Sequence, residues 1–418
     1  MINSKTNIFV VGGSRTPIGT YCGKLKEFTP TQLGVVAAKV ALRNCKIPSD
    51  QVDHVIFGNA FQTAHDSCHM ARHIGIGAGL PLHVPALTVN RLCGGGLEAM
   101  IQGIHQILAG DSKIVLAGGA ESCSQAPYVI RNMRFGIDKS KRFNTGPTNT
   151  SIRFVDAFES LYDSHAKMNM GQTADEVARL FNVTREEADD YARRSHRLYQ
   201  EANKAHFFDA EISPVEIPYR EAFGDMPNVA EEYFCEDEHP KFCFPDKFSR
   251  LPPAFARDGK FGVCTAGNSS HLCDGAAAVI IADEESVIRH DVQPIMRIVA
   301  WDIIGCEPSI MGIAPVFSIN NLVRKSGIPL EKIDLFEINE AFATQIVAIQ
   351  REMNIDYSRL NVNGGAIAVG HPLATSSIRI AIHLGGELRR RAAKYGIAAA
   401  SIGGGQGIAI LFESIPTI

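Results

Sequence analysis

The sequence predicts an α/β fold built from two similar halves. Short buried apolar runs alternate with helix-forming segments, which is typical of a sheet covered by helices on both faces. The order of features also repeats: in each half an apolar run reaches "VN" (89–90 and 362–363) and is followed by a glycine-rich turn, a helix and another apolar run. Between 126 and 255 the composition changes, which indicates an insertion.

In the first half, apolar runs stop where turn-forming residues begin. A helix is predicted over 29–45, with Thr29 as its N-cap and Pro30 in its first turn. A second helix is predicted from 97 to Gly110, whose glycine is a typical stop signal. Buried strands are predicted at 8–13, 52–60, 86–89 and 113–122.

The segment 126–255 reads as an inserted region outside the sheet. It holds two amphipathic helices, the second capped by Thr184 with Glu187 three residues later, which is the spacing of a capping box. The stretch that follows, "EDEHPKFCFPDKFSRLPPAF", is rich in proline, charge and aromatic residues. The predicted organisation is a first half at 1–125 and 256–285, the insertion at 126–255, and a second half at 286–418.

The second half repeats the pattern of the first. Strands are predicted at 274–285 and 294–304 and a helix at 316–326, and "IDLFEINEAF" echoes the earlier "DHVIFGNAF". Chance similarity between βαβ units is the simpler explanation, but the recurrence of several features in one order favours a duplication. Equivalent turns should then face each other across a pseudo-twofold axis, with the site between them.

Composition excludes several classes of protein. The net charge of −4 on 418 residues, without blocks of like charge, does not indicate a nucleic-acid-binding surface. The ten cysteines include no CxxC pair, so neither a zinc pattern nor a disulfide framework is expected. Neither a secretory leader nor an apolar run of about 18 residues is expected. Reduced thiols and these features predict a cytoplasmic protein without a membrane span.

Two strand-to-helix turns carry reactive side chains. Cys93 in "VNRLCGGGLEA" precedes a helix, whose N-terminal partial charge stabilises a thiolate, and the glycines that follow would let a ligand approach. A small buried thiol is the alternative. His371 in "NGGAIAVGHP" occupies the corresponding turn of the second half, as a base, an oxyanion donor, or a structural histidine. Together they make the Cys–His pair that a thiol nucleophile needs.

Two further turns complete the predicted site. Asn339 in "EINEAFATQ" either positions a water or carbonyl, or caps the next helix, and Glu340 is expected to orient its turn. The backbone N–H of Gly403 in "SIGGGQG" either forms part of an oxyanion hole or belongs to a purely structural turn. Ser401 stands at the entrance of that turn.

These stretches resemble, in order and spacing, the motifs of the thiolases (acetyl-CoA acyltransferases). The resemblance covers essentially the whole chain and includes "SRTPIGTYCGKLKEF", "GGAESCSQAPY", "TAGNSSHLCDGAAA" and "PSIMGIAPV". It implies the thiolase fold: two pseudo-symmetric βαβαβαββ halves in an α-β-α-β-α core, with a loop domain inserted in the first half. Ketoacyl synthases share that fold, but the "NEAF" and "GHP" turns together match thiolases better.

The resemblance also implies a mechanism. Cys93 would carry the acyl group as a thioester, and His371 would accept the proton of Cys93 or of coenzyme A. His371 and a water held by Asn339 would form one oxyanion hole, and the N–H groups of Cys93 and Gly403 the other.

Substrate contacts follow from the same resemblance. The inserted region would bind coenzyme A, with Ser270 near the pantetheine and Arg250 near the nucleotide. Acyl-CoA and coenzyme A enter as substrates, and neither a covalently bound cofactor nor a metal is expected. The chain would form a homodimer or homotetramer, and "IRNMRFGIDKSKRF" is either the tetramerisation loop or a solvated basic loop. The acyl pocket would be lined by Met170, Met311 and Phe342.

The chain departs from the thiolase pattern at Ser401, where the family carries a second cysteine that moves a proton at the α-carbon. A thiol has a pKa of about 8.5, and an alcohol is far less acidic, so serine is expected to impair the carbon–carbon step. Smaller departures are Asn169, where short-chain thiolases often have histidine, and Ala374 and Ser377, where glycines are usual.

Three hypotheses follow from these residues. The leading one is an acyl-CoA C-acyltransferase that cleaves 3-ketoacyl-CoA or condenses acyl-CoAs. The second keeps the fold but limits the protein to non-Claisen acyl transfer or thioester hydrolysis, because of Ser401. The third is a non-enzymatic acyl-CoA-binding subunit, which would give Cys93, His371 and Asn339 little reason to occur together.

Overall fold

A computed structural model describes residues 6–131, 153–217, 232–241, 243–256 and 261–416. All but the first two residues of "IRNMRFGIDKSKRF", the predicted tetramerisation loop, lie outside these residues. Within the described ranges, none of the helices has the length and apolarity needed to cross a membrane.

The strands follow the predicted apolar runs, with differences at their ends. They are β1 (Ile8–Arg15), β2 (Gly19–Thr20), β3 (His54–Gly58), β4 (Ala86–Val89), β5 (Ile114–Ser122), β6 (Tyr128–Arg131), β7 (Arg153–Asp156), β8 (Tyr162–Asp163), β9 (Met168–Asn169), β10 (Val215–Ile217), β11 (Glu232–Phe234), β12 (Cys273–Asp283), β13 (Met296–Gly305), β14 (Leu335–Ile338), β15 (Tyr395–Ile402) and β16 (Gln406–Ser414).

The helices include every one that the sequence predicts. They are α1 (Pro30–Cys45), α2 (Met70–Gly77), α3 (Gly95–Ala109), α4 (Met170–Leu180), α5 (Arg185–Lys204), α6 (Glu284–Arg289), α7 (Ala314–Ser326), α8 (Ala343–Met353), α9 (Ala366–Val369) and α10 (Ala374–Arg390).

Local capping was predicted correctly at two helices. The Thr29 side chain accepts a hydrogen bond from Gln32 N–H while the Gln32 side chain accepts one from Thr29 N–H, so α1 begins with a full capping box. Thr184 and Glu187 make the same reciprocal pair at the start of α5. Each box satisfies N–H groups that the helix itself leaves without partners.

The main sheet shows the internal duplication directly. Its strand order is β14-β15-β16-β13-β1-β12-β5-β3-β4, and β2 pairs with β12. From β1 outward the first half has two antiparallel pairs and then two parallel pairs. From β13 outward the second half has two antiparallel pairs, then β14 parallel to β15, and a parallel bridge between Phe336 and Leu360. The halves meet where β1 pairs antiparallel with β13.

Alternating side chains divide the core into layers. Ile8 and Val10 of β1 pack into a central core with α3, α10 and one face of each half-sheet. Phe9 and Val11 point the other way, into an outer core with α1 and α2. The outer face of the second half packs against α7 and α8 in the same manner. The predicted α-β-α-β-α arrangement is therefore confirmed.

The inserted region stays outside the main sheet. Its strands form three separate two-stranded sheets, β6-β7, β8-β9 and β10-β11. Arg15 of β1 anchors it, since the buried guanidinium bonds to Asp237 at 2.7 and 3.0 Å and to Glu211 at 2.7 Å. Losing one partner of such a buried group costs about 3–5 kcal/mol. The boundaries at 126, 256 and 286 stay predictions.

The glycines after Cys93 serve helix packing. A Cβ on Gly95 would lie 2.9 Å from the Ala374 Cβ, and one on Gly96 would lie 2.7 Å from both Ala374 O and the Ile378 Cβ. A Cβ on Gly94 would lie 2.6 Å from the Ile402 Cδ1. The expectation that these glycines admit a ligand is wrong, because their open side is filled by α10 and β15.

Replacing Gly96 with alanine is expected to lower the free energy of unfolding by about 1–3 kcal/mol, since the new methyl group meets backbone on α10. Urea unfolding monitored by circular dichroism measures the change. Gly386→Ala is the matched control: this glycine lies on the exposed side of α10 with open space around it. The control should stabilise the protein by about 0.5–1 kcal/mol. Equal effects of the two changes would contradict the packing argument.

Candidate active site

A cavity of about 510 Å³ lies where the two halves and the inserted region meet. Its wall contains eight of the ten predicted site residues, so these positions, distant in sequence, converge in space. Asn339 and Arg250 are not part of the wall. The eight are Cys93, Met170, Ser270, Met311, Phe342, His371, Ser401 and Gly403.

Cys93 lies in a short 3-10 helix, Leu92–Gly94, that leads directly into α3. The thiol is half-buried. Desolvation raises its pKa to about 12, while the backbone N–H groups of Gly403 and of Cys93 itself act to lower it. The resting side chain is therefore a neutral thiol, and it lies beside the two N–H groups that the sequence assigns to an oxyanion hole.

Polar contacts fix the turn that carries Cys93. The Asn90 side chain accepts a hydrogen bond from Leu92 N–H at 3.0 Å, and Leu92 has a positive φ of 45°. Arg91 bonds to Glu98 at 2.5 Å and to the Gln406 side chain at 2.7 Å. The second contact reaches Gln406 at the start of β16. It therefore connects the turn that carries Cys93 to the glycine-rich turn between β15 and β16.

The glycine turn is both structural and part of the cavity. Gly404 and Gly405 have φ values of 83° and 76°, which close the hairpin between β15 and β16 and favour glycine. Gly405 O accepts a hydrogen bond from Cys306 N–H at 2.7 Å, which fixes the turn from outside. Gly403 remains in the cavity wall with its N–H beside the Cys93 thiol.

His371 lies between α9 and α10 and is buried. Its Nδ1 is 2.6 Å from the Ser376 hydroxyl, while its Nε2 is buried and lacks a hydrogen-bond partner in the described structure. Burial, with Arg379 as a lesser cause, lowers its pKa to about 3. The ring is thus neutral, and with Nδ1–H donating to Ser376 the Nε2 lone pair is free to accept a proton.

Asn339 is held immediately behind the cavity wall. Its main-chain N–H donates to Ala399 O at 2.9 Å, and its main-chain carbonyl accepts from Gln345 Nε2 at 3.3 Å. α8 begins later, with Phe342 at its N-cap, so Asn339 does not cap it. Both polar atoms of the Asn339 side chain are buried and lack a protein partner among the described residues. A buried amide in this state suits a bound water.

Glu340 orients the neighbouring turns, as expected. It accepts hydrogen bonds from the Tyr191 and Ser195 hydroxyls, both at 2.7 Å, and from Ile367 N–H at 3.1 Å. These contacts join α5 of the insertion to α9, the helix that leads to His371.

Ser401 occupies the cavity wall on β15, opposite Gly407 of β16. Its side chain is 1% exposed, and its Oγ is a further buried polar atom without a protein partner among the described residues. The hydroxyl is therefore presented to the cavity contents and not to a neighbouring protein group.

The smaller departures from the thiolase pattern have local explanations. Asn169 is the N-cap of α4, where its side chain accepts from Gln172 N–H at 2.9 Å. The Ser377 hydroxyl accepts from Gly96 N–H at 3.1 Å and Leu97 N–H at 3.2 Å. Ser377 thus satisfies two N-terminal N–H groups of α3. The sequence marked Ser377 only as a departure from the family pattern and did not reveal its contact with α3, which depends on how α10 meets the other half, or the contact of Ser376 with His371.

The remaining predicted substrate contacts are the three acyl-pocket residues, Ser270 and Arg250. Met170, Met311 and Phe342 pack together in one apolar cluster of the cavity wall. Ser270 donates to Ala341 O from both its N–H (3.0 Å) and its hydroxyl (2.9 Å). Arg250 is exposed at the end of the 3-10 helix Pro245–Arg250, and its contact with a nucleotide stays a prediction.

The protonation states make a prediction for thiol chemistry. Because burial raises the thiol pKa of Cys93 and lowers the pKa of His371, the rate of Cys93 alkylation by iodoacetamide should rise about tenfold per pH unit from about pH 7 to 9. Peptide mapping by mass spectrometry separates Cys93 from the exposed Cys22, Cys68 and Cys235, which provide internal controls. A rate that is flat over this range would indicate a preformed thiolate–imidazolium pair.

Known proteins share this architecture. Residues 8–285 match the family described as "Thiolase, N-terminal domain", and residues 292–414 match "Thiolase, C-terminal domain". The chain is 44% identical over 410 residues to the mitochondrial 3-ketoacyl-CoA thiolase of Homo sapiens, covering 97% of this chain and 98% of that protein.

Two solved structures share this fold over nearly the whole chain. The crystal structure of human mitochondrial 3-ketoacyl-CoA thiolase in complex with CoA matches with a TM-score of 0.89 and 43% identity, covering 98% of each chain. That of the Bacillus anthracis acetyl-CoA acetyltransferase matches with a TM-score of 0.90 and 36% identity, covering 98% of this chain and 99% of the other.

The mitochondrial relatives do not support the predicted cytoplasmic location, which stays a prediction. With its duplicated fold and these matches along nearly its whole length, the chain belongs to the thiolase family of acyltransferases.

Proposed function

We propose that this thiolase transfers acyl groups between carbon and coenzyme A through a Cys93 acyl-enzyme. The observation that carries the proposal is the cavity itself, which brings the Cys93 thiol, the unpartnered His371 Nε2, the Gly403 N–H and the Ser401 hydroxyl to one wall. The names of the relatives, 3-ketoacyl-CoA thiolase and acetyl-CoA acetyltransferase, support carbon–carbon chemistry over thioester hydrolysis.

In the degradative direction the first step forms the acyl-enzyme. His371 Nε2 accepts the Cys93 proton as the sulfur attacks the 3-keto carbon of a 3-ketoacyl-CoA. The bond between C2 and C3 then breaks, and its electron pair leaves with the enolate of acetyl-CoA. The His371 imidazolium returns its proton to that enolate by way of the Ser401 hydroxyl, so His371 is neutral again while the shortened acyl group remains on Cys93 as a thioester.

The second step returns the acyl group to coenzyme A. A new coenzyme A thiol enters, His371 accepts its proton, and the sulfur attacks the Cys93 thioester to release a shortened acyl-CoA. The expelled Cys93 thiolate takes the proton back from His371, which regenerates the free enzyme. The Gly403 and Cys93 N–H groups, which lie beside the Cys93 sulfur, would stabilise the oxyanion on the acyl-enzyme. His371 with a water held by Asn339 would stabilise the oxygen of the other thioester. Condensation of two acyl-CoAs is the reverse sequence.

The apolar wall suits an acyl chain. The cluster of Met170, Met311 and Phe342 is extended by Phe255, whose ring centroid lies 6.0 Å from that of Phe342. Ser270 would approach the pantetheine. We further propose a homodimer or homotetramer. A comparison of rates on acyl-CoAs of increasing length would determine the preferred acyl chain.

The acyl-enzyme has a direct test. Incubation with acetyl-CoA, acid quenching and proteolysis should give a mass increase of one acetyl group on the Cys93 peptide, because the thioester accumulates when no acyl acceptor is present. Cys93→Ala should abolish the modification while keeping the fold, as judged by circular dichroism. An unmodified Cys93 peptide in protein that still binds coenzyme A would overturn the covalent mechanism.

Ser401 limits the rate in this proposal. Introducing a thiol with Ser401→Cys should raise the rate of acetoacetyl-CoA thiolysis at least tenfold, and at most by the roughly 10²–10⁴ that a positioned acid–base group contributes. Acetylation of Cys93 should be almost unchanged, since proton transfer at the α-carbon is not part of that half-reaction. Ser401→Ala is the matched control and should not raise the thiolysis rate.

The same experiment decides between the carbon–carbon and non-Claisen hypotheses. If both the wild type and Ser401→Cys acetylate Cys93 but neither cleaves acetoacetyl-CoA, the protein is restricted to acyl transfer or hydrolysis. If the wild type already cleaves acetoacetyl-CoA rapidly and Ser401→Cys adds nothing, the proposed impairment is wrong.

A further inference from the structure

A second group of reactive side chains lies outside the cavity, where the inserted region meets the core. It comprises His196 of α5, His239 of the 3-10 helix His239–Lys241, and Cys243 two residues after that helix. Each offers one ligand atom, and the three atoms lie within 4.8 Å of one another. The Cys243 Sγ is 3.2 Å from His196 Nε2. None of the three residues lines the catalytic cavity.

Hydrogen bonding inside the protein does not account for this group. The contact between Cys243 and His196 satisfies only one imidazole nitrogen of the cluster. His239, which is 7% exposed, has its Nε2 buried without a partner in the described structure. The ring of His271 lies 4.1 Å from that of His239, and its Nδ1 is also buried without a partner there. Buried polar atoms of this kind normally have partners.

The chemical form of the side chains suits a metal. Both imidazoles are buried, and burial favours the neutral form, which keeps a lone pair for a metal. Neutral imidazole and thiolate are the ligands that zinc takes most readily.

We propose that His196, His239 and Cys243 bind one Zn²⁺ ion, with a water or His271 in the fourth position. Zinc bond lengths of about 2.0–2.3 Å place the ligand atoms of a tetrahedral site about 3.3–3.6 Å apart. The Cys243 Sγ–His196 Nε2 distance of 3.2 Å is close to this value, and all three ligand atoms lie within 4.8 Å of one another. On binding, the Cys243 thiol loses its proton to solvent and becomes a thiolate ligand, so binding strengthens as pH rises. Three protein ligands that include one thiolate fit zinc better than the oxygen-seeking Mg²⁺ or Ca²⁺.

The position of the site indicates a structural function. The ligands belong to α5 and to the 239–243 segment, two parts of the inserted region that are distant in sequence. The neighbouring His271 accepts a hydrogen bond through its carbonyl from His371 N–H at 2.8 Å, and Leu272 forms a parallel bridge with His371. Zinc would therefore fasten the insertion beside the strand that supports the catalytic histidine.

Metal content of untagged protein tests the proposal. Protein purified without chelator, or reconstituted with Zn²⁺ and desalted, should contain one zinc per chain, and chelation should lower its Tm. Replacing Zn²⁺ with Co²⁺ should give the thiolate-to-cobalt charge-transfer band of a cysteine-ligated tetrahedral site. Cys243→Ser should abolish that band and weaken zinc binding by more than the 10–100-fold typical of changes that only touch a ligand's neighbours.

Controls separate this site from other thiols and histidines. Cys235→Ser and His206→Gln alter exposed residues of the same region and should retain one zinc. Cys93→Ala removes the catalytic thiol and should also retain one zinc. His239→Asn should lose zinc affinity even if Cys243→Ser fails to fold. Absence of stoichiometric zinc after reconstitution, or metal binding lost in Cys93→Ala but kept in Cys243→Ser, would overturn the proposal.

Discussion

The close approach of α3 and α10 is the constraint on which the site depends. The two helices are equivalents in the duplicated fold, and both belong to the core between the half-sheets. Their N-terminal ends meet where Gly95 and Gly96 leave no room for a side chain against Ala374. Cys93 precedes one helix and His371 the other. The packing that joins the halves therefore also brings the Cys93 thiol and the His371 imidazole to one cavity, and a shift between the helices would separate them.

Burial then sets the chemistry of the pair. A thiol and an imidazole taken out of water both favour their neutral forms, so the pKa of Cys93 rises and that of His371 falls. In the proposed mechanism a neutral pair can still react, because His371 Nε2 has no protein partner in the described structure and would accept the proton as the sulfur attacks. Ionisation would then be postponed to the moment when substrate is in the cavity.

Much of this arrangement was predictable because it rests on local patterns and on resemblance. The capping boxes at Thr29 and Thr184 depend on neighbours three residues away, and the turns with Cys93 and His371 follow from the repeat. Contacts between distant segments were not predictable: the bonds from Ser377 to α3 and the filling of space at Gly96 both require the relative position of the two halves. The contact of Ser376 with His371 is local, but it depends on how the chain turns into α10. The same limit applies to the His196, His239 and Cys243 cluster. Because the cluster has no CxxC spacing, a search for paired cysteines predicts no metal site here. The fold nevertheless brings three candidate ligands together.

At Ser401, the identity of one side-chain atom, oxygen or sulfur, bears on the proposed reaction rate and not on the fold. Its Oγ occupies a buried position without a protein partner, where a sulfur would be larger, more acidic and easier to desolvate as a neutral group. Leaving a hydroxyl unpaired in this setting costs about 1–3 kcal/mol unless substrate or water supplies a partner. In the proposed mechanism, substrate or water in the cavity would supply this partner, whereas the weak acidity of the hydroxyl would slow proton transfer to the α-carbon. Transfer of an acyl group between coenzyme A and Cys93 needs no such proton. Ser401 would therefore uncouple the two half-reactions: acyl exchange with coenzyme A would stay intact, and the carbon–carbon step would become rate-limiting.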